Sequence, residues 1–231
     1  MTGVFHMTKV TLVIPTLNEE ETIGEVIDTV PEGAVDEVLI VDGKSNDRTI
    51  EIAQERGART IVELRRGYGR AYKTGFANAE GDVIVTLDGD MTYPSEAIGD
   101  LVRMLDDEGL DFITCDRLSN LDPKAMTLTH RFGNWTLVKT MNVLFRMKLK
   151  DSQSGMWVFR KRILEKVTLT ADGMPLSEEI KIEAWRKGFK CKEVAIDYRP
   201  REGSGAKLNT WSDGFLNLRF LFRKRFARPK K

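Results

Sequence analysis

Two carboxylates one residue apart follow a short apolar run in this chain. The run, VIVTL at residues 83–87, is rich in β-branched side chains and predicts a buried strand, and Asp88-Gly89-Asp90 comes directly after it. At the end of a strand both aspartates can reach one hard cation, and Gly89 leaves room for a ligand beside the backbone. We expect Mg²⁺ or Mn²⁺, which binds few carboxylates and completes its shell with water and substrate phosphates. An ordinary surface turn is the alternative for these three residues alone.

Two further polar segments also follow directly after apolar runs. Residues 15–19 follow the apolar run 10–14, which predicts a strand stopped by Pro15, and residues 42–47 follow the run 37–41. Asn18 and the acidic residues after it predict the start of a helix. Strand and helix patterns alternate through the first half of the chain, which predicts a parallel, doubly wound sheet. The carboxyl ends of its strands meet at one edge, where such folds bind ligands. The sequence therefore predicts a site formed by all three polar segments.

Composition limits the classes of function. The chain has 231 residues and a formal charge of +1, which suits one large domain and does not favour nucleic acid as a partner. Cys115 and Cys191 lie far apart and suggest a reducing, cytoplasmic setting without a disulfide framework. No apolar run approaches 18 residues, so we expect no membrane span within this sequence.

The second half departs from the strand–helix alternation. We predict a helix over residues 95–105, a strand over 112–115, and a loop over 118–123 that forms a soft boundary between two halves. Residues 124–150 then carry six basic side chains, no acidic ones and many apolar ones. This pattern fits either a core helix or a basic amphipathic helix in a membrane interface.

The end of the chain is basic and amphipathic as well. A glycine-rich basic loop at residues 199–207 could close over phosphates, and the segment 210–231 follows it. That segment holds seven basic residues and no acidic one from residue 219 onward, with aromatic side chains at helical spacing. We predict that it lies flat on an anionic membrane; packing on the domain is the alternative.

Several motifs, in order along the chain, resemble one known family. They are VIPTLNE at residues 13–19, VDGKSNDRT at 41–49, GYGRAYKTG at 67–75, Asp88-Gly89-Asp90, and a late loop with Arg201 and Lys207-Leu208. The pattern is similar to family 2 glycosyltransferases of GT-A fold, and within them to the polyprenyl-phosphate sugar synthases. The likeness runs from residue 13 to about 222. In this sequence Leu17 stands where an aromatic is common.

The resemblance implies a fold, a domain plan and a reaction. The fold is α/β, with a mostly parallel sheet flanked by helices and an amphipathic C-terminal helix. Residues 1–209 would form the GT-A domain, with a nucleotide half at about 8–116 and an acceptor half at about 117–209, and 210–231 a basic tail. The reaction would be inverting, metal-dependent transfer of a hexose from GDP-mannose, UDP-glucose or UDP-GlcNAc to dolichyl or polyprenyl phosphate.

The resemblance also implies roles for individual residues. Asp88, Asp90 and Thr92 would hold the cation. The catalytic set would be Asp90, Arg117, Arg131 and Glu179, with the two arginines binding the acceptor phosphate. The nucleotide sugar would be bound by Pro15, Leu17, Glu19, Asp42, Asp88, Gly89, Asp90, Arg201 and Lys207.

The expected partners are a nucleotide sugar, the lipid phosphate and the cytoplasmic face of a membrane, with a membrane-anchoring subunit as a further candidate. One rival is a transferase of the same fold that acts on a saccharide or protein hydroxyl. It would need a carboxylate base, and Asp151 or Glu179 could serve. A second rival, of another class, is a non-catalytic membrane-docking subunit.

Overall fold

A seven-stranded mixed sheet forms the centre of the protein. The computed structural model describes residues 8–121, 125–201 and 210–226, and of residues 210–213 the backbone only. The strand order is β3-β2-β1-β4-β6-β5-β7. All neighbouring strands are parallel except β6, which runs antiparallel to both β4 and β5. This confirms the predicted α/β fold with a mostly parallel sheet.

The first half alternates strand and helix, as the apolar pattern predicts. Its elements are β1 (Val10–Thr16), α1 (Ile23–Asp28), β2 (Glu37–Asp42), α2 (Thr49–Glu55), β3 (Arg59–Val62), α3 (Tyr68–Asn78) and β4 (Val83–Thr86). Helix α3 crosses the sheet closely, since a Cβ on Gly75 would lie 2.3 Å from Val13 Cγ1. Only glycine allows the helix to approach β1 and β2 in this way.

Among the described residues, the second half supplies the remaining three strands of the sheet and four α-helices. A 3₁₀ turn at Ser95–Ala97 leads into α4 (Ile98–Asp107), and β5 (Phe112–Leu121) follows. The remaining elements are α5 (Leu128–Phe145), β6 (Trp157–Arg160), a second 3₁₀ turn (Lys161–Glu165), α6 (Leu176–Arg186), β7 (Cys191–Tyr198) and α7 (Thr210–Phe226).

Three predicted boundaries are wrong. Strand β1 continues through Pro15, which lies beyond the last β1–β4 pair, so its missing N–H removes no bond on that side. Helix α1 begins at Ile23 and not at Asn18, which adopts a left-handed conformation with φ 52°. The loop predicted from residue 118 is strand as far as Leu121, because it pairs with β7 after an irregularity.

The helices α5, α6 and α7 pack together beside the sheet. Leu137 and Met141 of α5, Ile182 of α6 and Leu221 of α7 form a buried apolar cluster of their own. In the described part of the chain, no helix is both long and apolar enough to cross a bilayer.

Candidate functional site

The backbone is locally strained where three neighbouring parallel strands end. Asn18, Lys44 and Met91 have positive φ angles of 52°, 69° and 63°, and they follow β1, β2 and β4. Non-glycine residues seldom adopt this conformation, and such strain concentrates at functional sites. The positive φ angles therefore support the site that is predicted at this edge of the sheet.

Two tyrosine hydroxyls donate hydrogen bonds to Asp88. Its Oδ1 accepts hydrogen bonds from the hydroxyls of Tyr68, at 2.9 Å, and Tyr72, at 3.3 Å. Burial, followed by the nearby negative charge of Asp90, raises the pKa of Asp88 to about 7. The tyrosine hydroxyls oppose this rise by stabilising the anion. Asp88 is thus a carboxylate that gains strongly from a nearby positive charge.

Asp90 is oriented by Thr92 and paired with Arg201. The Thr92 hydroxyl donates to Asp90 Oδ1 at 2.6 Å, and Arg201 Nη1 lies 3.4 Å from Oδ2. The other end of the same guanidinium, Nη2, contacts Glu19 Oε1 at 3.0 Å. Arg201 therefore joins the loop after β1 to the Asp-x-Asp segment. Thr92, predicted as a third metal ligand, is here a donor to Asp90.

The carboxylates suit a hard divalent cation. Asp88 Oδ2 carries no hydrogen bond from the described residues, and burial together with mutual repulsion disfavours two adjacent anions. Oxygen donors of this kind match Mg²⁺ or Mn²⁺. Within the described ranges no group of three or more His, Cys, Asp or Glu is placed to hold a metal. Substrate oxygens and water would complete the shell, as is usual for Mg²⁺.

The two other polar segments are joined by hydrogen bonds. Asn18 N–H donates to Ser45 Oγ at 2.7 Å, and Glu19 N–H donates to Thr49 Oγ1 at 2.8 Å. The buried Asp42 accepts from Thr16 and Ser45, which shapes the loop after β2. The structure therefore brings together the residues predicted for the nucleotide sugar: Pro15, Leu17, Glu19, Asp42, Asp88, Gly89, Asp90 and Arg201.

Leu17 and Gly89 each contact a neighbouring segment of this group. Leu17 is exposed beside Gly43, and its side chain offers an apolar surface without an aromatic face. The Gly89 carbonyl accepts the Thr22 hydroxyl at 2.6 Å, which ties the Asp-x-Asp segment to the start of α1.

A buried arginine lies next to this group. Arg117 is bound by Asp151 through two bonds, Nε to Oδ2 at 2.6 Å and Nη2 to Oδ1 at 3.0 Å. Its guanidinium also lies 5.2 Å from the ring centre of Tyr198. Although burial opposes it, the Arg117 charge lowers the pKa of Asp151 to about 2. Asp151 is consequently a fixed anion that orients Arg117.

The turn that carries Asp151 is held by a lysine that sequence analysis missed. Lys181 of α6 is fully buried, and its ammonium donates to the carbonyls of Asp151, Ser152 and Ser154 at 2.8–3.2 Å. The same turn ends at Gly155, where a Cβ would lie 2.3 Å from the Tyr68 hydroxyl. The sequence around Lys181 contains no motif that indicates this role. The one feature that could have indicated it is a charged residue among the apolar residues of α6.

Glu179, predicted as catalytic, has structural partners. Its carboxylate accepts from Thr170 and Ala171 and from Lys224 Nζ of α7 at 2.8 Å. Lys224 also contacts Glu183 at 2.8 Å. The neighbouring Glu178 is fully buried, with Oε1 bound by Gln153 and Oε2 without a partner among the described residues. Burial raises the pKa of Glu178 well above its usual value.

Arg131 makes no side-chain contact with this group among the described residues, and Lys207 is not one of them. Arg131 is exposed near the start of α5 and has no side-chain partner in the part of the chain that is described. Lys207 lies outside the described residues. Their roles as phosphate ligands stay predictions.

Comparison with known proteins assigns the family. Residues 11–168, well over half of the chain, match the family model described as glycosyl transferase family 2. The chain belongs to glycosyl transferase family 2. This confirms the family indicated by the motifs and, with it, the enzyme class, a glycosyltransferase.

Two curated relatives come from Haloferax volcanii. The hexosyltransferase Agl6 of low-salt glycan biosynthesis is 37% identical over 91% of this chain, which spans only 52% of the length of Agl6. A dolichyl-phosphate hexose transferase is 34% identical, and the match covers 88% of each chain. The chain thus matches relatives of similar and of greater length.

A solved structure supports the fold. Glucosyl-3-phosphoglycerate synthase from Mycobacterium tuberculosis, crystallised with Mn²⁺, UDP and phosphoglyceric acid, superimposes with a TM-score of 0.78. It is 21% identical, and the match covers 97% of this chain and 80% of the other. The predicted GT-A architecture of the family 2 chain is thereby confirmed.

Proposed function

We propose that this family 2 glycosyltransferase moves a hexose from a nucleotide sugar to a polyprenyl phosphate of the dolichyl type, with inversion at the anomeric carbon. GDP-mannose, UDP-glucose and UDP-GlcNAc are the candidate donors. A relative that is 34% identical is named a dolichyl-phosphate hexose transferase.

One observation carries the proposal: the two carboxylates that could have acted as a base are both already bound by other groups of the protein. Asp151 is held by Arg117 with a pKa of about 2, and Glu179 is bound by two backbone N–H groups and by Lys224. A hydroxyl acceptor needs a base to remove its proton. A phosphate monoester has a second pKa of about 6, so it is already mostly ionised and serves as its own nucleophile.

The remaining task is to bring two phosphate groups together. Arg117 has Nε and Nη2 bound to Asp151, while Nη1 carries no bond from the described residues and can donate to the acceptor phosphate. Arg131 is proposed as its second ligand. Arg201, now between Glu19 and Asp90, is suited to the donor diphosphate, and Lys207 is proposed to join it. Arginine forks match phosphate oxygens geometrically.

Asp88 and Asp90 would hold Mg²⁺ or Mn²⁺. The bound ion would neutralise charge on the diphosphate as it leaves. The structural neighbour from Mycobacterium tuberculosis was crystallised with Mn²⁺ and UDP. In this chain, Tyr68, Tyr72 and Thr92 keep the carboxylates in fixed orientations.

A membrane surface suits the acceptor, whose polyprenyl tail lies in a bilayer. Helices α5 and α7 each bury one face and expose another that is apolar and basic. The exposed apolar side chains are Leu128, Phe132, Trp135 and Val143 on α5, and Phe215, Leu216, Phe222 and Phe226 on α7. The buried faces fit the packing alternative drawn from the sequence, and the exposed faces support the membrane alternative. We propose that these exposed faces rest on the cytoplasmic leaflet, with or without an anchoring subunit.

Glu178 favours a second candidate function, transfer to a hydroxyl. It is the one carboxyl at the start of α6 with an oxygen that no described residue contacts. Burial raises its pKa, so its carboxylate would be a stronger base once ionised. In this structure, however, it is fully buried. It could act only if Gln153 and its turn moved aside.

A turnover assay distinguishes the two functions. Purified protein with Mn²⁺ would be tested with the three donors, against a short polyprenyl phosphate and against a saccharide. Transfer to the lipid phosphate, retained in Glu178→Gln, would support the proposal. Transfer only to the saccharide, abolished in Glu178→Gln, would establish the second function.

A further inference from the structure

A cavity of about 300 Å³ opens where three helices end. It is lined by Leu144, Phe145, Arg146, Arg186 and Arg225. Arg146 caps α5, Arg186 is the last residue of α6, and Arg225 lies in the last turn of α7. Three arginines from three separate elements therefore face one space, which we call the arginine pocket.

The arginine pocket carries uncompensated positive charge. None of its three guanidinium groups forms a hydrogen bond or ion pair with a carboxylate among the described residues. Each helix C-terminus contributes a partial charge of about −0.5, which offsets roughly half of the three full positive charges. The remaining positive charge, in a concave space, attracts an anion.

The backbone at Arg146 adds a second observation. This residue has a left-handed conformation, with φ 56° and ψ 42°, at a helix end where glycine or asparagine is usual. Of the four described non-glycine residues with positive φ, the three others lie at the candidate active site. A long cationic side chain is thus held at a position whose backbone favours glycine.

The pocket is separate from the transfer site. None of its lining residues belongs to the transfer site, which is formed by the Asp-x-Asp segment after β4, Arg201 and the Arg117–Asp151 pair. Its apolar lining, Leu144 and Phe145, packs against the buried cluster of α5, α6 and α7, whereas the Arg225 guanidinium lies 5.8 Å from the ring centre of the exposed Phe226 on α7. The pocket therefore borders the α7 face that is proposed to meet the membrane.

We propose that the arginine pocket binds the phosphomonoester headgroup of an anionic lipid in the bilayer on which the enzyme works. Three guanidinium forks can satisfy a group with three free oxygens and up to two charges better than a phosphodiester, which has two free oxygens and one charge. The apolar rim favours a lipid over a free anion. This inference deepens the proposed membrane contact and rests on it.

Vesicle binding tests the proposal without donor or acceptor, so its outcome does not depend on sugar transfer. The full chain would be cosedimented with phosphatidylcholine vesicles that contain either phosphatidic acid or phosphatidylglycerol, adjusted to equal surface charge. The test variant is Arg146→Ala/Arg186→Ala/Arg225→Ala. The control is Lys139→Ala/Arg219→Ala/Arg223→Ala, which removes the same charge from exposed positions of α5 and α7.

We expect the wild type to prefer phosphatidic acid by about tenfold, since its headgroup carries the additional charge and oxygen. The test variant should lose this preference, whereas the control should keep it while binding both vesicles more weakly. Equal binding of wild type to both vesicles, or equal loss in both variants, would overturn the proposal. If millimolar inorganic phosphate binds the chain by calorimetry and abolishes the preference, the pocket holds a free anion and the lipid assignment is wrong.

Discussion

Asp151 holds Arg117 in a buried two-point ion pair, with Nε–Oδ2 and Nη2–Oδ1 distances of 2.6 and 3.0 Å. Asp151 is itself fixed by the Lys181 ammonium, which donates to three carbonyls of its turn. The pair places a permanently charged guanidinium near the Asp-x-Asp segment. It also prevents Asp151 from acting as a base.

Breaking this pair should destabilise the protein. Asp151→Asn should lose about 3 to 5 kcal/mol of unfolding free energy, because it leaves a buried guanidinium uncompensated. The folded pKa of Asp151 is about 2, below its ordinary value of 3.8, so the stabilisation is present above pH 3.8 and is lost as the pH falls toward 2. Chemical denaturation should therefore show the gap between wild type and variant narrowing in that interval by about 2 kcal/mol. The double variant Arg117→Met/Asp151→Leu should lose less than Asp151→Asn; an equal or larger loss would contradict the account.

Asp90→Asn should abolish transfer. A neutral amide is a poorer ligand for a hard cation, and we expect at least a hundredfold loss, or more than about 2.7 kcal/mol of transition-state stabilisation. Mn²⁺ affinity, measured by electron paramagnetic resonance of the free ion, should fall as well. Full activity of the variant, or of the wild type in EDTA, would reject the metal site.

Asp88→Asn should stabilise the metal-free protein. Burial and the charge of Asp90 raise the folded pKa of Asp88 to about 7, so ionising it costs folding free energy as the pH rises from about 4 to 7. The advantage of the variant should grow over that interval to no more than about 4 kcal/mol and then stay constant. Thermal unfolding in EDTA checks this, with the exposed Asp82→Asn as control. Added Mn²⁺ should raise the Tm of the wild type but not of Asp88→Asn; the reverse order would count against both roles.

Arg131→Ala should lose transfer while donor binding survives, if this exposed arginine binds the acceptor phosphate. Arg131→Lys should be partly active, because an ammonium cannot reproduce the two-point fork. The acceptor KM and the Kd of the nucleotide, measured separately, distinguish the two sides of the site. Wild-type acceptor kinetics in the alanine variant would exclude Arg131 from the acceptor site.

Charge reversal on α7 should weaken membrane binding. Arg219 and Arg223 are exposed, whereas Lys224 is engaged by Glu179 and Glu183, so only the first two are suitable for substitution. Arg219→Glu/Arg223→Glu should reduce binding to anionic liposomes at least about tenfold, since each basic residue contributes about 1 kcal/mol. Added salt should reduce wild-type binding likewise. The exposed pair Arg66→Glu/Lys166→Glu serves as control, and an identical loss in both pairs would mean that α7 has no special contact with the bilayer.

Local sequence was sufficient for the elements that end at the site. Apolar runs predicted β1, β2 and β4, and the polar residues after them were expected at one edge because parallel strands share their direction. The errors fell at boundaries, such as the loop expected at residue 118, which is strand because β7 pairs with it. No local pattern contains that information, since the partner is some eighty residues away.

The sequence alone determined the class of chemistry: the order and spacing of its motifs indicated family 2, and two aspartates after a buried strand indicated a hard cation. Tertiary structure decided what each charged group can do. Tyr68 and Tyr72 reach Asp88 from α3, Lys181 reaches the Asp151 turn from α6, and Lys224 engages the Glu179 carboxylate from α7. The physical reason is that the pKa and availability of a carboxylate depend on burial and on neighbours within a few ångströms. Those neighbours are supplied by helices distant in the chain, so only the packing of the elements sets them.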